Sequence, residues 1–197
     1  TKPMGTMERP LILRTYCPDP NLDRNLVLGN HSRGTSVAKY SARSGKENDN
    51  VQPPIAGVPA AIAVNLGKKL SYAWDTTECR LLYAWTDGFL DMKNYWGDKE
   101  GGRRRGFAYV PELYGFLFYK AQGKHPIHID GKSIADLGAP KYLVYDLDET
   151  KQPVFSFSAG KHTIEFTPRS GPGNQTLKLT VSTGGKEKIS FKSPKTQ

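Results

Sequence analysis

Residues 70–91, LSYAWDTTECRLLYAWTDGFLD, decide how the rest of the chain reads. Leu70, Tyr72 and Trp74 alternate along the first half, and Cys79, Leu81, Tyr83 and Trp85 along the second. A period of two marks a half-buried strand, because successive side chains point to opposite faces of a sheet. Asp75-Thr76-Thr77-Glu78 lies between the halves as a polar turn, so the stretch reads as an antiparallel hairpin. After Trp85 the alternation stops at Asp87-Gly88-Phe89-Leu90-Asp91, a loop carrying two carboxylates past the densest apolar face.

Working outward, Pro59–Leu66 (PAAIAVNL) is apolar on both faces. Ile62, Val64 and Leu66 fall on one side and Ala61 and Ala63 on the other, as suits a central strand packed above and below. Leu11–Tyr16 is a first strand, closed by Cys17-Pro18-Asp19-Pro20, whose prolines are expected to end sheet pairing. Residues 1–10 read as a loose lead-in, residues 21–34 as a loop around Leu26-Val27-Leu28, and Ser36–Tyr40 as a further strand. Ser41–Gly57 and Lys93–Gly106 are long polar loops, a length that in compact domains often carries function. Tyr114–Tyr119 is a strand. Ile127–Ile129, Tyr142–Leu147, Val154–Ser158, His162–Thr167, Thr176–Ser182 and Lys188–Phe191 follow as a meander punctuated by turn residues such as Asp130-Gly131, Ala159-Gly160 and Gly184-Gly185. Only Lys132–Leu137 suits a helical turn. The pattern predicts one all-β domain over residues 1–197, an antiparallel sandwich with long loops and little or no helix. Its expected core is Ile62, Val64, Trp74, Leu81, Tyr83, Phe155, Phe157, Ile164, Phe166, Leu177 and Leu179.

The totals bound the function class. At 197 residues, 37% hydrophobic and 24% charged, with 20 glycines and 14 prolines, the chain is globular and loop-rich. No apolar run reaches the roughly 20 residues of a membrane span, and the first residues show no signal-peptide pattern. The chain opens at Thr1-Lys2-Pro3 without a starting methionine, as expected of a processed or trimmed chain. A net charge of +9 suits a polyanionic ligand or an acidic partner as well as a solvated basic surface. The basic residues are spread out apart from Arg103-Arg104-Arg105, and no nucleic-acid-binding fingerprint is present, so no specific nucleic acid is expected. Cys17 and Cys79 lack zinc or redox spacing. They read either as a disulfide, if the chain is exported, or as two buried free thiols.

Thirteen of the 21 aromatic residues fall between Tyr72 and Tyr119. Core filling accounts for Tyr72, Trp74, Tyr83, Phe116 and Phe118. Tyr95 and Trp96 stand in a loop rich in glycine and charge, where an aromatic face beside polar groups suits the C–H face of a sugar ring. Asp87, Asp91 and Glu112 are the carboxylates nearest this cluster. Two such groups at the right separation hydrolyse a glycosidic bond, although loop carboxylates also cap turns or pair with arginine. His125-x-x-His128 offers no third ligand, and His31-Ser32-Arg33 lacks the strand-turn-helix context of an activated serine, so neither a metal nor a cofactor is expected. Loops gather at the ends of a sandwich. Trp85, Asp87, Asp91, Asn94, Tyr95, Trp96, Arg103 and Arg105 are therefore expected to border one ligand-binding surface.

Pro59–Val64, Tyr72–Asp75, Cys79–Trp85, Gly88–Asp91 and Tyr95–Gly97 together resemble segments of exported bacterial proteins found beside, or fused to, c-type cytochrome and sugar-dehydrogenase-like domains. The likeness spans about residues 55–120, to a family without an established activity. It implies a periplasmic or secreted location, a sugar or redox setting and, with export, an oxidised Cys17–Cys79 pair. It transfers no catalytic residue, and the Cys-x-x-Cys-His haem attachment motif is absent. The leading expectation is a non-catalytic binding module for carbohydrate. A carbohydrate-active enzyme using Asp87, Asp91 or Glu112, and a docking domain for an acidic or cytochrome partner, are the alternatives.

Overall fold

A computed structural model describes residues 5–18, 57–92, 111–171 and 176–192, and these are built almost wholly of strands. The first sheet contains β1 (Leu11–Pro18), β2 (Gly57–Asn65), β3 (Ser71–Asp75), β4 (Arg80–Thr86) and β7 (Phe116–Lys120), adjacent in that order and antiparallel throughout. Short β5 (Leu90–Asp91) and β6 (Glu112–Leu113) pair with each other between β4 and β7. The second sheet is a meander of β10 (Lys141–Leu147), β11 (Pro153–Ala159), β12 (His162–Ser170) and β13 (Leu177–Thr183). A third, small sheet joins β8 (Ile127–Ile129) to β9 (Lys132–Ser133) and to the last strand, β14 (Ile189–Phe191). A single helical turn, α1 (Ile134–Leu137), follows β9 where the sequence pattern places one. No helix among the described residues is long and apolar enough to cross a membrane.

The two large sheets pack face to face through aromatic side chains. Trp74 of β3 stacks on Phe155 of β11 at 4.7 Å between ring centroids and 11° between planes, and also meets Phe166 at 4.7 Å and Phe157 at 6.0 Å. Ile62, Val64, Tyr72, Leu81 and Ile164 complete this inter-sheet core. Leu177 and Leu179, expected at its centre, are only half-buried along the edge strand β13. The alternation read in the second sheet holds: on β11 the inward Phe155 and Phe157 are buried, and the outward Val154, Ser156 and Ser158 are half-buried.

The first sheet differs because it is buried on both faces. Its other face gathers Cys17, Ala61, Ala63, Ala73, Leu82, Tyr83, Trp85, Leu90, Met92 and Leu113 into a second apolar cluster. The small alanines of β2 face this side, as its two-sided apolar pattern predicts. The hairpin, however, does not keep the face pairing expected of Cys79, Leu81, Tyr83 and Trp85. Ala73 pairs with Tyr83 but Trp74 pairs with Leu81, which leaves Leu82 as an extra residue on β4. A β-bulge of this kind switches the face of everything beyond it. Leu81 therefore faces the inter-sheet core, whereas Tyr83 and Trp85 face the second cluster. Cys79 belongs to the turn, with a left-handed φ of 50°.

The turn itself is the one the sequence implies. Asp75 is buried, and its Oδ1 accepts the backbone N–H groups of Thr77 at 2.8 Å and Glu78 at 3.3 Å, while Thr76 Oγ1 donates to the Ala60 carbonyl at 3.0 Å. Two other expectations are corrected. Residues 5–10 are not loose: Gly5 is buried and donates its N–H to Asn65 Oδ1 at 2.7 Å, and Thr6 and Arg9 bond to each other across a tight turn. The first strand also runs two residues past Tyr16, since Cys17 and Pro18 stand opposite Val58 and Gly57, and a proline is tolerated at such an edge position because no N–H need be donated there.

Cys17 and Cys79 are both buried free thiols, which corrects the bridge implied by export. The reason is geometric: Cys17 sits in the second cluster and Cys79 in the inter-sheet core, on opposite sides of the first sheet. Burial pushes each thiol up to about 12, so neither forms a thiolate at neutral pH. The native protein should therefore resist a thiol-specific reagent, and the unreduced protein in denaturant should titrate two thiols. Fewer than two would restore the bridge.

His125 clasps the β3–β4 turn to β8. Its Nε2 lies 3.2 Å from the Cys79 carbonyl and its Nδ1 accepts the Ile127 N–H at 3.2 Å, a pair of bonds that only the neutral ring with its proton on Nε2 makes. Burial, reinforced by the nearby Arg80 charge, lowers its pKa below the ordinary 6.5. A histidine depressed on folding binds more protons when unfolded, so its contribution is complete above the ordinary value and is lost as pH falls toward the folded one. Thermal stability should accordingly decline on acidification from about pH 7 to pH 5, and His125→Gln should flatten that slope while lowering stability at neutral pH.

Candidate functional site

The end of β4 is where the sequence analysis places a site, and four segments of chain meet there. Asn65 and Ser71 are fully buried and form the joint between them. Asn65 Oδ1 accepts from the Gly5 N–H at 2.7 Å and the Gly67 N–H at 3.2 Å, and its Nδ2 donates to the Gly67 carbonyl at 3.0 Å and to Ser71 Oγ at 2.8 Å. Ser71 Oγ donates in turn to the Gly88 carbonyl at 2.7 Å. Both side chains are thereby satisfied without water, which a buried polar joint requires. Asp87 then leaves β4 with a φ of 60°, a left-handed conformation that aspartate tolerates better than most residues, and its N–H bonds to the Lys68 carbonyl at 2.8 Å.

Two glycines let the backbones close in. A Cβ at Gly88 would collide with the Tyr114 carbonyl, and one at Gly115, whose φ is 127°, would collide with the Thr86 carbonyl and the Trp85 ring. The Tyr114 N–H closes the contact by bonding to the Phe89 carbonyl at 3.0 Å. The β6–β7 connection is thus pressed against the β4 end with no side chain between them.

Three features of this junction are chemically useful. Phe116, the register partner of Thr86, is 60% exposed although Phe118 and Tyr119 beyond it turn into the core. Thr86 Oγ1 donates to Asp87 Oδ2 at 2.8 Å, which holds the exposed carboxylate beside the same residue that opposes Phe116. Lys68 and Lys69, both exposed, flank the ledge on the β2–β3 turn. An apolar ring and a fixed carboxylate therefore share one edge, next to the turn that carries two exposed lysines and bonds the Asp87 N–H through the Lys68 carbonyl.

The structure redistributes the expected site residues. Asp87 is on the surface as expected. Trp85 is not: it is fully buried, stacks on half-buried Phe89 at 6.1 Å and 10°, and lies tilted against Tyr83 at 5.4 Å, so it supports the junction from beneath. Its indole N–H has no hydrogen-bond partner among the described residues. Asp91 and Glu112 occupy directly opposed positions of β5 and β6, a juxtaposition invisible in a sequence that separates them by 21 residues. Asn94, Tyr95, Trp96 and Arg103 to Arg105 lie outside the described residues. Phe116 is the residue that sequence reasoning missed, because its alternation with Phe118 reads as core. The available signal was Gly115, which breaks the strand immediately before it and leaves Phe116 at the paired end of the strand that edges the first sheet among the described residues.

No family model, curated protein or solved structure matches the chain with statistical significance.

The junction makes Gly115 intolerant of any side chain. Gly115→Ala should lower unfolding stability by about 2 kcal/mol or more, through a carbonyl clash and a φ that alanine resists. A chemical denaturation curve checks this, and Gly123→Ala, whose Cβ meets nothing within 4 Å, provides a comparison limited to the φ penalty.

Proposed function

We propose that this chain is a non-catalytic binding module for carbohydrate, with the ledge of Phe116, Asp87 and the neighbouring lysines as the part of its ligand surface that lies within the described residues. The observation that carries the reading is Phe116: a large ring held 60% exposed on a rigid sheet end, beside a carboxylate fixed by Thr86. A sugar ring presents an apolar C–H face and a rim of hydroxyls. The phenyl face covers the first, and Asp87 Oδ1, which has no protein partner among the described residues, accepts from the second. Lys68 and Lys69 favour a sugar bearing an acidic group. The loop residues Asn94, Tyr95, Trp96, Arg103 and Arg105 extend the same surface in this reading. The resemblance to exported domains supports a periplasmic or secreted setting for it.

One observation favours a second reading. Asp91 and Glu112 are two of the three carboxylates whose chemistry suits glycoside hydrolysis, and their opposed register brings the two positions to the spacing of a cross-strand pair. A carbohydrate-active enzyme would use them as acid and base or nucleophile.

A glycan array followed by calorimetry on the best ligand tests the proposal. Phe116→Ala should weaken binding about tenfold to a hundredfold with an unchanged melting temperature, since the ring is exposed in the free protein. Failure of every glycan to bind would overturn the reading. Cleavage of the bound glycan, abolished by Asp91→Asn and by Glu112→Gln, would replace it with the enzyme. Binding confined to an acidic protein and lost steeply with added salt would replace it with a docking domain.

A further inference from the structure

The second sheet ends at β10, and among the described residues no strand pairs with the far side of that edge. Open edges are usually kept short or charged, because their unpaired N–H and C=O groups invite another strand. Here the edge is seven residues long and carries three of the five most exposed large hydrophobic residues described: Leu143 at 52%, Leu147 at 51% and Val144 at 46%.

The register of β10 explains how Leu143 and Val144 come to be outside. Tyr142 pairs with Phe157 and Tyr145 with Phe155, so three steps on β10 match two on β11. Both tyrosines turn inward and pack against the inter-sheet core, Tyr145 lying 6.2 Å from Phe155. The extra residue turns Leu143 and Val144 to the outer face together. Lys141 and Asp146, opposite Ser158 and Val154 on β11, share that outer face on either side of the apolar pair. Both are exposed, and neither makes an ion pair among the described residues.

This arrangement is complementary to itself. If a second strand with the same sequence runs antiparallel along the edge, Lys141 of each copy meets Asp146 of the other, Tyr142 meets Tyr145, and Leu143 meets Val144. A two-fold axis through the middle of β10 creates both charge pairs at once, which is the signature of an isologous interface. We infer that the β10 edge is a homodimer interface, in which two copies of this chain join their second sheets into one continuous sheet across a two-fold axis. The bulge that would discourage a foreign strand suits an identical one, because the same extra residue stands on both sides.

The test is sedimentation velocity on the intact protein up to millimolar concentration, with circular dichroism to confirm each variant's fold. The native protein should dimerise with rising concentration, and Val144→Lys should leave it monomeric. Lys141→Glu and Asp146→Lys should each weaken dimerisation about tenfold by placing like charges opposite one another twice. The double variant carrying both changes should restore it, because the pairs are re-formed with their signs exchanged. A native protein that stays monomeric at the highest concentration overturns the inference. So does a dimer indifferent to these variants, or one that Val144→Lys abolishes but the charge exchange does not rescue.

Discussion

Everything in this structure depends on the contact of Trp74 with the second sheet. A single indole, parallel to Phe155 and with ring centroids 4.7 Å from both Phe155 and Phe166, forms the centre of the face the two sheets share. Aromatic side chains bury more surface than any others and add a geometric preference of their own. Here they fix the separation and the rotation of the sheets together. Trp74 accepts a cost for that position, since its indole N–H is buried without a hydrogen-bond partner among the described residues. The cost of one unpaired donor, about 1–3 kcal/mol, is outweighed by the surface the ring removes from water and by its contacts with three phenylalanines.

The first sheet can serve as a platform because it is packed on both sides. Its inter-sheet face joins the second sheet, and its other face carries Trp85, Tyr83 and the alanines of β2. A sheet clamped in this way does not flex at its ends, and a surface built on those ends is pre-organised. The buried Asn65–Ser71 joint extends the rigidity to the turns, tying the β2–β3 turn, the β4 end and the N-terminal turn at Gly5 by hydrogen bonds that exclude water. The exposed ring of Phe116 projects from this frame, so in the proposed reading a ligand would meet it on a backbone that is already fixed.

The two thiols show how topology overrides an expectation based on compartment. Two cysteines in a chain expected to be exported would invite a bridge, and both are fully buried, which would not by itself forbid one. A bulge at Leu82 and the turn at Cys79 place them in separate clusters with the sheet between them. Their burial makes them inert, and they act as small apolar fillers.

The sequence by itself determined the class of the fold, the longer strands among the described residues, most of their turns and most of the core. These are local properties: alternation over five residues forces one face inward, and Asp75 or Gly160 makes a turn wherever the chain puts it. Ile62, Val64, Trp74, Phe155, Phe157, Ile164 and Phe166 were legible for that reason. What the tertiary structure decided depends on pairings between distant segments. The extra residue at Leu82 sent Tyr83 and Trp85 to the opposite face from Leu81, and no period-two reading of one strand reveals a mismatch that exists only relative to its partner. The same holds for the opposition of Asp91 and Glu112, the separation of Cys17 from Cys79, and the pinning of Gly5. Phe116 reads as core because its neighbours do. It is exposed because it lies at the end of an edge strand, and only assembly of the sheet determines where that end falls.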